Sequence, residues 1–209
     1  MEIGDVIDGR YHLVRVIADG ELSTVYEAED SRSERRVAVK VLSKALSALP
    51  ASAGLVEAAR ATSTLGNPCF VEVLDHGKTE EERLFVVTGL VPGASLKELL
   101  KTRGSLDPGL ALSLTAQLAE ALAAARDEGL DVLISPDHVL VDLSDEESPR
   151  ARVQTVEISR VVDVDTGRPS ITQATGLGPE LFYTAPERLT GEDRGARSDL
   201  YTVGVVLFE

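Results

Sequence analysis

The sequence predicts an α+β fold in two lobes, and three patterns within its 209 residues carry that expectation. Residues 10–42 alternate apolar and polar side chains in short runs broken by turn-prone segments, as antiparallel strands do. One Ala-rich segment, 51–65, repeats its apolar residues at helical spacing. Later, Leu110, Leu114, Leu118 and Leu122 recur at every fourth position and mark one face of a long helix.

The first strand runs through Tyr11, Leu13, Val14, Val16 and Ile17, the second over 24–28 and the third over 36–42. Ala18-Asp19-Gly20 and Asp30-Ser31-Arg32-Ser33 supply the turns of this meander. Leu55, Ala58, Ala59, Thr62 and Leu65 define the helix of 51–65, and Gly66-Asn67-Pro68 ends it. Two more strands follow, over 70–75 and 83–90, joined by the acidic turn Glu80-Glu81-Glu82. Five strands and one helix complete a small lobe.

The second lobe begins with Ser95-Leu96-Lys97-Glu98, a capping box that starts a short helix closed by Gly104. Asp107-Pro108 supplies an N-cap and a first-turn proline for the long helix, which Gly129 terminates. Residues 203–208 are apolar and are expected to cover its leucine stripe. That run stops at Glu209, so the natural protein is expected to be longer. Short apolar runs at 132–134, 139–141, 153–156 and 161–162 suit small hairpins around a polar, acidic loop at 144–149.

Composition narrows the function classes. The 35 acidic residues outnumber the 21 basic ones, for a net charge of −14. Nonspecific nucleic-acid binding and adhesion to anionic membranes both need the opposite sign. A lone Cys69 forms no intrachain disulfide, and His12, His76 and His138 lack metal-ligand spacing. No run reaches the roughly 20 apolar residues of a membrane helix, and the acidic start is unlike a secretion signal. The expectation is a cytoplasmic domain, with room for a membrane segment beyond Glu209.

Motifs at both ends of the chain make the fold specific. Val37-Ala38-Val39-Lys40 resembles the strand lysine motif of protein kinases. Ala185-Pro186-Glu187 resembles their "APE" motif, and Ser198-Asp199-Leu200-Tyr201-Thr202-Val203-Gly204 the start of their F helix. From Tyr11 to Glu209 the chain resembles the eukaryotic-type Ser/Thr protein kinase family, most closely its bacterial members. The resemblance implies a two-lobed kinase-like fold: a five-stranded antiparallel N-lobe with one helix over 1–91, and a helical C-lobe over 92–209 that stops within the F helix.

It also implies a nucleotide site. Lys40 matches the lysine that pairs with phosphates and with a helix glutamate; Glu57 is the only acid in that helix, although counting back from Pro68 points to Ala58. Ile17, Val25, Ala38, Thr88, Leu90 and Leu140 match the adenine slot, a pattern that any two-lobed core shares. Of the three glycines that let backbone N–H groups approach phosphate, only Gly20 remains; Ala18 and Ser23 hold the other places. With Asp19 and Glu21 beside it, the loop also reads as an ordinary hairpin turn.

The acids of catalysis are missing. Leu133 stands where the family has its catalytic Asp, His138 where it has the metal-binding Asn, and Thr155 where it has the metal-binding Asp. Ser135 replaces the phosphate-facing Lys of the same loop. Leucine accepts no proton, and losing a positioned base costs roughly 10²–10⁴ in rate. Threonine is a poor magnesium ligand beside a carboxylate. Asp131, Asp137 and Glu157 lie one or two positions away, where side chains turn elsewhere, and Glu180 occupies a position usually held by Thr.

The resemblance therefore implies a pseudokinase, with no catalytic residue and no metal ligand, acting as a signalling or scaffolding module. Thr166, Ser170, Thr172 and Thr175 give the activation-segment equivalent hydroxyls for a true Ser/Thr kinase. A forkhead-associated-type phosphothreonine-binding domain is the expected reader. Two alternatives stay open: a divergent kinase with weak ATP-dependent phosphotransfer, and a sensor that binds ATP without magnesium.

Overall fold

The computed structural model describes residues 1–49, 52, 66–130, 132, 134–145, 147–155, 182–189 and 195–209. They fall into two compact units. The first holds the described residues of Met1–Gly66 and of Glu72–Leu90; the second holds Asn67–Val71 and the described residues of Val91–Thr155 and Thr166–Glu209.

In the first unit, β1 (Val6–Ile7), β2 (Tyr11–Asp19), β3 (Ser23–Asp30), β4 (Arg35–Leu42), β5 (Val73–Lys78) and β6 (Leu84–Gly89) form one antiparallel sheet in the order β1-β2-β3-β4-β6-β5. The expected five strands are there, and a sixth, β1, is added. Its signal was in the chain: Asp8 and Gly9 take φ of +53° and +60° in the three-residue loop between Ile7 and Tyr11, and Asp-Gly suits hairpin turns. Two apolar residues are too few to show a period.

The strand expected over 70–75 starts only at Val73. Phe70 instead makes a parallel bridge to Val153, and Val71 N–H donates to the Val153 carbonyl at 2.9 Å. Hydrophobicity marked the segment, but its leading residues satisfy their backbone in the second unit. A short helix, α1 (Lys44–Ser47), follows β4 with Ser43 as N-cap; the expected helix of 51–65 lies outside the described residues apart from Ser52.

Strand alternation puts Tyr26, Ala28, Val37, Val39, Phe85 and Val87 on one sheet face, all buried. Tyr11 meets Phe85 edge-on, ring centroids 6.2 Å apart. Where β2 and β3 begin and end, Arg10 grips Asp30 through two hydrogen bonds of 2.6 and 2.8 Å and reaches Asp75 at 2.8 Å. Tyr11 hydroxyl also donates to Asp75, at 2.6 Å.

The second unit carries β7 (Gly93–Ser95), α2 (Leu96–Arg103), α3 (Pro108–Asp127), β8 (Val139–Asp142), β9 (Arg150–Val153), α4 (Pro186–Leu189) and α5 (Ala196–Phe208). The capping box forms at Ser95 and Glu98, and Asp107 caps α3 through Gly109 and Leu110 N–H. Leu114, Leu118 and Leu122 face inward, where Val203 and Val206 of α5 are also buried, as the leucine stripe required. Each such leucine contributes roughly 1.5–3 kcal/mol by leaving water. The sheet order is β7-β8-β9; residues 132 and 134 are not in a strand, which corrects the hairpin expected there. The free edge of β9 is closed by Gln117 of α3, whose Oε1 accepts from Ala151 N–H at 2.9 Å.

Candidate functional site

The residues matched to a nucleotide site are divided between the two units. In the first, β-sheet register collects several of them. Val25 lies opposite Lys40, and Ala38 opposite Thr88, so these four share the sheet face away from the buried core. All four are half-buried, as is Leu90. Ile17 sits in a bulge of β2, between the pairs Val16–Tyr26 and Ala18–Val25, and is exposed. Glu57 lies outside the described residues.

The turn between β2 and β3 satisfies itself. Gly20 N–H donates to the Ser23 carbonyl at 3.0 Å, and the Leu22 carbonyl accepts from Ser43 N–H at 2.8 Å. Thr24 hydroxyl donates to Asp19 at 2.8 Å. A Cβ on Gly20 would meet Ser23 oxygen at 3.5 Å, an ordinary contact, and its φ is not positive. Neither strain nor close approach requires glycine here. The turn is a closed hairpin with an acid beside it.

In the second unit, Leu140 stands on β8 opposite Arg152 and Ser95. Ser135 is fully buried, and its hydroxyl lies 3.0 Å from His138 Nδ1. His138 N–H donates to the Ser135 carbonyl at 2.9 Å, closing a turn through Pro136 and Asp137. Lys97 Nζ pairs with Asp137 at 2.9 Å. Leu133, Asp131 and Glu157 lie outside the described residues, as do Thr166, Ser170, Thr172, Thr175 and Glu180.

Thr155 carries the clearest chemical statement. Its residue is 7% exposed, and Oγ1 is the buried side-chain oxygen without a hydrogen-bond partner among the described residues. A neutral, enclosed hydroxyl and an imidazole bonded to Ser135 are a poor match to magnesium, which takes hard, charged oxygens. An unsatisfied buried hydroxyl costs about 1–3 kcal/mol. Thr155→Val, which keeps the shape, is therefore expected to raise stability by about 1 kcal/mol or more in urea denaturation. An unchanged or lower midpoint would show that the hydroxyl has a partner.

The second unit also shows which scaffold residues hold the end of the chain. Ser198 hydroxyl donates to Glu187 at 2.7 Å, and this bond holds the Glu187 carboxyl below its usual range. Thr202 hydroxyl donates to the Tyr183 carbonyl at 2.7 Å, and Tyr183 hydroxyl to Glu209. Burial, then the Glu209 contact, pushes the Tyr183 phenol up. Asp199, matched by resemblance to the anchor of the catalytic loop's backbone, takes Arg126 Nη1 of α3 at 2.5 Å; residues 131 and 133 of that loop lie outside the described residues. Lys97 and Arg126 were missed in the sequence because an ion pair across 40 or 73 positions leaves no local signal.

The strand lysine, the "APE" segment that leads into α4 and the F-helix motif on α5 define a kinase-type domain. The protein kinase domain family matches residues 11–209, and the chain belongs to it. It is 34% identical over 215 residues to serine/threonine-protein kinase PknA of Mycobacterium tuberculosis (strain ATCC 25618 / H37Rv), across 99% of this chain and 48% of the relative. It is 35% identical over 208 residues to serine/threonine-protein kinase pkn2 of Myxococcus xanthus, across 97% of this chain and 24% of the relative. The chain thus spans about half, or less, of the length of these relatives. The solved kinase domain of Mycobacterium tuberculosis PknI superposes with a TM-score of 0.75 at 23% identity, over 99% of this chain and 75% of that one. At that identity the likeness speaks for the fold.

Proposed function

We propose that this domain is a pseudokinase that works as a signalling or scaffolding module and transfers no phosphoryl group. The observation that carries the reading is the enclosed hydroxyl of Thr155 at the place of the family's metal-binding carboxylate. His138 engaged with Ser135, and leucine at position 133, support it. Without a metal, the charge developing on a transferred phosphoryl group has no counter-charge. The domain contributes surface and hydroxyls to signalling. A true Ser/Thr kinase phosphorylates Thr166, Ser170, Thr172 or Thr175, and a forkhead-associated-type domain reads the phosphothreonine. We place the module in the cytoplasm; no helix among the described residues is long and apolar enough to cross a membrane.

Thermal shift against ATP, with and without magnesium, tests the reading. The expected result is no shift in either condition. A magnesium-dependent shift with radiolabel transferred to a substrate would instead favour an active kinase, the reading that 34% identity to a Ser/Thr kinase supports. A shift without metal would favour a nucleotide sensor. Mass spectrometry after incubation with an active kinase reads the hydroxyls, and an unmodified segment removes the recruitment step.

A further inference from the structure

We infer that the turn Ser135-Pro136-Asp137-His138, which stands where a kinase has its catalytic loop, is anchored on α2, with Lys97 as its positioning residue. The first N–H groups of a helix need acceptors from outside it. In α2 the Ser95 hydroxyl takes Glu98 N–H at 3.2 Å, and Glu98 returns the bond to Ser95 N–H at 3.1 Å. Lys97 N–H, between them, donates to the Pro136 carbonyl at 3.1 Å. The loop thus completes the cap of the helix, and the helix holds the loop.

Lys97 grips two consecutive loop residues, Pro136 through its backbone and Asp137 through Nζ at 2.9 Å. Two bonds between Ser135 and His138 close the turn, and Gln154 N–H on the His138 carbonyl, at 2.8 Å, ties its far end beside β9. On α5 the matched anchor residue, Asp199, has its carboxylate on Arg126. The Lys97–Asp137 pair is well exposed, at 56% and 38%, and such pairs contribute about 0–1 kcal/mol. The backbone bond is therefore the stronger part of the anchor.

Nuclear magnetic resonance on the full chain tests this without nucleotide, so its outcome is independent of the thermal-shift result. A through-hydrogen-bond coupling between Lys97 nitrogen and Pro136 carbonyl carbon is expected in the unaltered protein, and its absence overturns the anchor. Lys97→Pro removes the donor at a first-turn position that tolerates proline. It is expected to speed exchange of the His138 amide about tenfold while the Gly104 amide, deeper in α2, keeps its protection. Lys97→Ala and Asp199→Asn should each change His138 exchange by less than about threefold. Faster His138 exchange in Asp199→Asn than in Lys97→Pro would place the anchor on α5 and overturn the inference.

Discussion

Gly93→Ala is expected to lower stability by roughly 3 kcal/mol or more, at the upper end of what overpacking does. A Cβ at Gly93 would lie 1.8 Å from the Val141 carbonyl oxygen and 3.0 Å from its carbon. The obstacle is backbone inside β8, so no rotamer change relieves it. Gly93 pairs with Asp142 in the register that joins β7 to β8, and Leu143 N–H bonds Pro92 just beyond. The strand must lift off, taking with it the entry to α2. In a domain of this size the loss corresponds to a melting-temperature drop of roughly 6–12 °C. Gly204→Ala is the control: nothing lies within 4 Å of its Cβ, and it sits inside α5. It should gain about 0.5–1 kcal/mol from better helix propensity. Equal melting of the two variants would contradict the steric account.

Asp30→Ala is expected to cost about 3–5 kcal/mol, because it breaks a buried ion pair from one side. Asp30 is 4% exposed at its side chain and Arg10 20%. The carboxylate also accepts from Ser33 hydroxyl at 2.6 Å and from Arg32 N–H at 3.0 Å, so one substitution removes four hydrogen bonds. Lys78→Ala, which breaks the exposed pair with Glu82, should cost under about 1 kcal/mol. The Arg10 hydrogen bond holds the Asp30 carboxyl well below the carboxylate range, against the opposing effect of burial. A depressed carboxyl stabilises the fold above its unfolded value of about 3.9 and loses that contribution as pH falls toward the folded value. The gap between wild type and Asp30→Ala in guanidinium titration should therefore narrow from pH 7 to pH 3. A constant gap would assign the loss to packing rather than to charge.

Local patterns were legible where a local rule governs them. The capping box at Ser95, the Asp107-Pro108 helix start and the leucine stripe of α3 each rest on residues within four positions of one another, and each formed. The sixth strand was equally local, since Asp8-Gly9 signals a hairpin, but two strand residues carry no alternation to read. Phe70 was harder. The sequence placed it at the start of a strand over 70–75; it is buried, but its backbone partner Val153 lies far along the chain. The slot residues of the first unit were named by resemblance; β alternation and register account only for Val25, Ala38, Lys40 and Thr88 sharing one sheet face.

The α+β class, the helix caps and the strand faces could be read from the chain alone. Those are properties of spacing and side-chain type, and no neighbour changes them. The tertiary structure decided the partners: Thr155 hydroxyl closed off, Asp199 on Arg126, Glu187 on Ser198, and the Pro136 carbonyl on α2. Hydrogen bonds and burial depend on which groups folding brings within about 3 Å, and linear spacing does not encode that distance.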